Sequence, residues 1–162
     1  MELRDLYDSK RILTGKVIEK GKEVPLGSYY ITVVVFIENE QGQFLLQKRV
    51  AKKDGKWATT GGHPKSGESS LQGIVTEIEE ELGVNIKENE LTLFKTIQTE
   101  DDFVDLYYLR KNIDIKDIKI QEDEVEKVMW ATREEIGKLI NDKLFSSSHE
   151  EFYNYCIDFL DY

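Results

Sequence analysis

Cysteine is almost absent from this chain: Cys156 is the only one in 162 residues, which excludes an internal disulfide and a cysteine-rich zinc site. Basic charge is scarce as well. Lys and Arg number 22 against 32 Asp and Glu, a formal net charge of -10, and a surface for polyanions needs clustered cations to displace counterions. No nucleic-acid polymer is therefore expected as a partner; a small or metal-bridged molecule is. No apolar stretch approaches the roughly 20 residues of a membrane span, and Met1-Glu2-Leu3-Arg4-Asp5 lacks the apolar run of a signal peptide. The chain reads as cytoplasmic, with no membrane partner. Repeats and low-complexity tracts are also missing. What is present is ordinary globular composition, 40% hydrophobic and 10% aromatic, in a length that suits one domain with a real core.

Residues 1–27 are mixed and polar, with turn signals at Asp8-Ser9-Lys10 and Gly21-Lys22, and predict an N-terminal arm or hairpin packed on the body. Tyr29 to Ile37 is dense in β-branched and aromatic residues and predicts a buried strand. Glu38 to Gly42 turns it into a second strand, Phe44 to Arg49, and Trp57 to Thr60 forms a short third. A helix is expected from about Ser69 to Leu82, stopped by Gly83. Strands follow at Leu91–Gln98, Phe103–Leu109 and Val125–Trp130, with Glu100-Asp101-Asp102 as a turn. Thr132 and Glu135 have capping-box spacing and open a helix through Ile140. Ser148 is expected to cap a final helix with Phe152, Cys156, Phe159 and Leu160 on one face, so that residues 141–162 pack on the domain. The order predicts a single domain over 1–162, of the α/β class, with a mixed sheet flanked by helices.

Gly62, Glu68, Glu77, Glu80, Glu81 and Gly83 carry the chemistry. At about 100° per residue, Glu77, Glu80 and Glu81 fall within an arc of roughly 100°, while Leu71, Val75, Ile78 and Leu82 occupy another face. Like charges at this spacing cost only about 0.2–0.5 kcal/mol per pair, so a solvated acidic face is one reading. Carboxylates are also hard ligands suited to Mg²⁺ or Mn²⁺. Gly61-Gly62 before the helix permits close backbone approach, and Gly73 inside it, at a cost of about 0.5–1 kcal/mol, implies a packing reason. The expected reason is to keep bulk off the metal-facing side.

The segment from Gly62 to Val84 resembles the Nudix box, G-x5-E-x7-R-E-U-x-E-E-x-G-U with U aliphatic: Gly62, Glu68, Glu77, Ile78, Glu80, Glu81, Gly83 and Val84 match, and Thr76 stands at the arginine position. With the strands around it, the resemblance extends over most of residues 28–140. It implies a Nudix-type α/β/α sandwich and hydrolysis of a pyrophosphate bond in a nucleoside diphosphate-linked or related small molecule. It further implies Mg²⁺ or Mn²⁺ held by Glu77, Glu80, Glu81 and the Gly61 carbonyl, with Glu68, Gly62 and Thr76 supporting the site. Glu80 or Glu124 is the expected base, and Arg49 and His63 are expected to contact substrate. Thr76 cannot fix Glu80 as an arginine would; it is expected to bond to backbone of the preceding turn and leave a less preorganised site. Dimerisation is common in the family, so a homodimer is possible.

Gly62-His63-Pro64 with Gly67-Glu68-Ser69 also resembles isopentenyl-diphosphate isomerase, a Nudix relative whose catalytic cysteine falls where this chain has Gly61. Two alternatives to the hydrolase follow, a nucleotide-binding sensor module and an isomerase-like enzyme. Other conspicuous residues read as structural. Trp57, Trp130, Tyr29, Tyr30 and Phe103 are expected in packing, Cys156 as an inert core thiol, and His149 on the surface in the first turn of the last helix.

Overall fold

In the computed structural model, which describes residues 2–162, nine strands and three α-helices form among the described residues: β1 (Leu3–Tyr7), β2 (Leu13–Glu19), β3 (Tyr30–Glu38), β4 (Phe44–Arg49), β5 (Trp57–Ala58), β6 (Thr60–Gly62), α1 (Ser70–Leu82), β7 (Leu91–Gln98), β8 (Asp102–Arg110), β9 (Val125–Ala131), α2 (Arg133–Asn141) and α3 (Ser147–Asp161). A seven-stranded mixed sheet runs β5-β4-β3-β8-β7, with β6 paired to β3 and β9 to β4. β3 and β8 are parallel across their whole length, and the other pairs are antiparallel.

The unbroken apolar run of β3 follows from burial on both faces. Ile31, Val33, Val35 and Ile37 pack on one side with Ile74, Ile78 and Leu82 of α1. Val34 and Phe36 pack on the other with Ile136 of α2 and Tyr153 and Cys156 of α3. Successive strand side chains alternate between faces, so β3, like β4 and β8 beside it, joins the two cores of an α/β/α sandwich. Cys156 is fully buried. α1 starts at Ser69, whose side chain accepts from Gln72 N while Gln72 reaches back, and ends at Gly83 in the left-handed region at φ 66.

β1 and β2 form a separate hairpin docked on the domain. Tyr7 and Tyr29 exchange backbone hydrogen bonds of 2.8 and 2.9 Å. Leu3 O accepts from Ser66 N at 2.7 Å, and the Asp5 carboxylate accepts from Ser66 Oγ and Gly67 N at 2.6 and 2.9 Å. The hairpin thus grips the loop between β6 and α1. Arg11, at its turn, reaches the buried Asp105 of β8 with both terminal nitrogens.

Several local expectations are corrected. The strand expected over 57–60 is two strands, because β5 pairs with β4 whereas β6 pairs with β3, and the chain changes partner at Thr59. Asp102 belongs to β8 rather than to the preceding turn: it is buried and accepts from the hydroxyls of Thr32 and Thr99. α3 is capped at Ser146, not Ser148, without a side-chain cap bond. Phe159 is 40% exposed, although it stacks on Phe94 with centroids 4.9 Å apart. His149 is not on the surface; it is buried at 7% exposure against Thr59.

Candidate active site

Because β4 leaves β3 to pair with β5 and β9 while β6 takes its place, the sheet splits and a cleft of about 520 Å³ opens there. Gly61, Gly62, Glu77, Glu80 and Glu81 line one wall, and Arg49, Lys53, Gln121 and Glu124 another. Tyr30, Thr32, His63 and Asp102 line it from the starts of β3 and β8 and the end of β6, and Ser148, His149 and Phe152 from α3.

The three glutamates differ in environment. Glu80 is exposed and accepts from Lys65 Nζ at 2.6 Å. Glu77 is half-buried, facing the bare Cα of Gly62: a Cβ there would lie 2.3 Å from the Glu77 carboxyl carbon. Glu81 is buried, with Oε1 accepting from the Gln47 amide at 3.1 Å and Oε2 buried without a partner. The amide orientation is fixed by the Thr60 hydroxyl, which donates to Gln47 Oε1 at 2.9 Å. Burial, then the charges of Glu81 and Glu80, pushes the Glu77 carboxyl up to about 8. Burial pushes Glu81 up to about 7, against the pull of the Gln47 amide.

Charges held this way are costly without a counterion. The orphaned Glu81 oxygen, the space that Gly62 leaves for Glu77, and an all-oxygen donor set fit a hard divalent cation. Lys65 draws Glu80 one way and Gln47 draws Glu81 another. Among the described residues no three acidic, histidine or cysteine side chains are gathered into a ready-made cation cage.

Glu68 and Thr76 sit together behind the glutamate wall. Thr76 Oγ1 donates to Glu68 Oε2 at 2.8 Å, and Lys65 N donates to Glu68 Oε1 at 2.7 Å. Thr76 therefore braces Glu68, not the preceding helical turn as expected. Gly73 also has another role than expected: a Cβ there would come 2.6 Å from Pro64 Cγ, so the glycine admits the loop, not a metal.

Arg49 lines the cleft with its guanidinium on Asp54 at 3.0 Å, and Glu124 lines it paired with Lys53. His63 Nδ1 lies 3.2 Å from the Ile31 carbonyl, which can only accept, so Nδ1 carries the proton and Nε2 is an acceptor. Burial, then the charge of Arg4, pushes this imidazole down to about 4.

Sequence reasoning did not place Arg4, Tyr30, Asp102, Gln47 or His149 at the cleft. Tyr30 lines it, whereas Tyr29 and Phe103 pack on each other with ring centroids 5.1 Å apart. Thr59 N and Oγ1 lie 3.3 and 2.9 Å from His149 Nδ1. A backbone N–H can only donate, so Nδ1 accepts and the proton sits on Nε2. Burial pushes this ring down to about 3. No local pattern marks these residues, since each is defined by a partner far away in sequence.

A family model for the NUDIX domain matches residues 28–156. A Nudix hydrolase of Listeria monocytogenes is 33% identical over 144 residues, covering 86% of this chain and 85% of the relative. An isopentenyl-diphosphate Delta-isomerase of Streptomyces avermitilis is 33% identical over 87 residues, covering 51% of this chain and 44% of the relative. A solved structure from Deinococcus radiodurans superposes with a TM-score of 0.74 at 20% identity, covering 90% of this chain and 92% of the other.

Proposed function

Since the chain belongs to the Nudix hydrolase family, we propose that it is a divalent-metal-dependent hydrolase cleaving the pyrophosphate bond of a small diphosphate-containing molecule. The observation that carries this reading is the Glu81 carboxylate, buried in the cleft with one oxygen unpaired beside the half-buried Glu77. Glu77, Glu80, Glu81 and the Gly61 carbonyl would hold Mg²⁺ or Mn²⁺, which when bound supplies charge neutralisation and a lowered pKa for the attacking water.

The protein groups then divide the remaining work. Glu80 and Glu124 are the candidate bases, and each must first release its lysine, Lys65 or Lys53. Arg49 is positioned to turn from Asp54 towards a substrate oxygen. His63 Nε2 and Asp102 offer acceptors, and His149 Nε2 offers a neutral donor. Glu68, held by Thr76 and Lys65 N, fixes the loop that leads into α1.

The isomerase reading is disfavoured at Gly61. A Cβ there would come 2.7 Å from the Val33 carbonyl oxygen, so β6 has no room for the thiol without moving away from β3. Incubation with nucleoside di- and triphosphates, nucleotide sugars, dinucleoside polyphosphates and isoprenoid diphosphates, with Mg²⁺, with Mn²⁺ and with EDTA, tests the proposal. Metal-dependent release of phosphate or a monophosphate ester, nearly abolished in Glu80→Gln, is the expected result. Turnover that survives EDTA, or binding without turnover in saturating metal, would overturn it.

A further inference from the structure

The N-terminal hairpin lies outside the segment matched by the family model, yet it enters the cleft through Arg4 of β1, Lys20 just beyond β2, and Glu2 just before β1. The Arg4 side chain is only 13% exposed. Its Nε is buried without a hydrogen-bond partner, and the one carboxylate within 4.0 Å among the described residues is Glu2 at 3.8 Å, too far to accept a hydrogen bond. A guanidinium does not shed its proton, and a largely buried charge whose counter-charge, Glu2, stands beyond hydrogen-bond distance is costly. The Tyr30 ring, 5.5 Å from Arg4 Cζ, offsets part of that cost. His63, edge-on to Tyr30 at 5.1 Å, carries no negative charge in either protonation state. Arg49 and Lys53 each hold a carboxylate within hydrogen-bond distance, whereas Arg4 and Glu2 stand 3.8 Å apart.

Register places the Tyr30 platform on which this cation rests. Gly61 pairs with Val34, whereas Tyr30 lies four residues earlier on β3, opposite Asp102. At about 3.3 Å per residue the Tyr30 backbone is roughly 13 Å along the strand from Val34, the partner of Gly61. Resting on Tyr30, Arg4 belongs to the part of the cleft at the start of β3, away from the residue that pairs with Gly61.

We propose that Arg4, resting on Tyr30, is an anion-binding residue of the cleft that takes a phosphate monoester carried by the substrate beyond the cleaved pyrophosphate. The position of that pyrophosphate rests on the hydrolase reading; the Arg4 subsite does not. NADPH and NADH share a pyrophosphate and differ by one phosphate monoester, so they probe the subsite directly. Calorimetry on the full chain in EDTA should show NADPH binding roughly tenfold tighter than NADH, the scale of one charge-assisted hydrogen-bonded contact. Arg4→Gln, which keeps a polar side chain on the hairpin, should abolish that preference and change NADH affinity by less than about twofold, while Arg4→Lys should retain part of it. Equal affinity for the two probes, no binding of either, or equal weakening of both by Arg4→Gln overturns the proposal. Turnover of the same probes in Mg²⁺, read in parallel, reports on the hydrolase: its absence alongside a retained NADPH preference would sink that reading and leave the Arg4 subsite standing.

Discussion

Replacing Asp105 with asparagine should loosen the hairpin from the domain. Asp105 is fully buried on β8 and accepts from Arg11 Nη1 and Nη2 at 2.8 and 2.5 Å, from Ser70 Oγ at 2.5 Å and from Thr96 Oγ1 at 2.7 Å. One carboxylate thus joins the hairpin turn, α1 and β7. Breaking a buried ion pair by removing one partner costs about 3–5 kcal/mol. Arg11 is 32% exposed, so water can re-solvate it in part, and about 2–3 kcal/mol is the expected loss after that discount. At about 2–4 °C per kcal/mol for a chain of this size, Asp105→Asn should lower Tm by roughly 5–10 °C. The pH dependence has a definite sign. Burial raises the Asp105 pKa, but hydrogen bonds from Arg11, Ser70 and Thr96 outweigh it and hold the carboxyl below its ordinary range. Its stabilisation is therefore present above the unfolded-state pKa and lost as pH falls through the lower folded value. Thermal unfolding of wild type, Asp105→Asn, Arg11→Met and the double variant, each at pH 7 and pH 3, measures both effects. A Tm within about 1 °C of wild type for Asp105→Asn at pH 7, where about 2 kcal/mol is expected, would refute the reasoning, as would additive single effects showing no coupling with Arg11.

Gly62→Ala should leave the fold intact and suppress metal-dependent turnover at least tenfold, because its Cβ would occupy the space of the Glu77 carboxylate; unchanged metal affinity by titration would count against the cation site. Thr76→Val removes the hydroxyl donor to Glu68 and should cost about 1 kcal/mol in stability, measured by urea unfolding, with kcat falling more than KM rises. Gly73→Ala should perturb the loop through Pro64, read as faster proteolysis around residues 63–67 than in wild type. Since burial pushes His149 down to about 3, its ring signals should not titrate between pH 7 and 5. Its contribution to stability should fall as pH drops below about 6.5, where the unfolded state takes up the proton; an inflection of the folded ring near pH 6.5 would show that it is not buried neutral.

The most legible parts of the chain were those whose physics is local. The helix start near Ser69, its stop at Gly83, and the face shared by Glu77, Glu80 and Glu81 are fixed within a few residues by helix geometry. The continuous apolar run of β3 announced a strand covered on both sides, and so a layered fold. The sequence alone thereby determined the fold class and the stretch that bears the carboxylates. It could not tell a buried Glu81 from an exposed Glu80, because their difference comes from Gln47 and Thr60 on other strands. Nor could it show that Thr76 braces Glu68, that Gly73 makes room for Pro64, or that His149 sits under Thr59, 90 residues away. Those facts arise where β4 parts from β3 and where the hairpin lands on β8, and only the packed structure decides them. A contact between distant segments depends on how the layers close, which no spacing along the chain encodes.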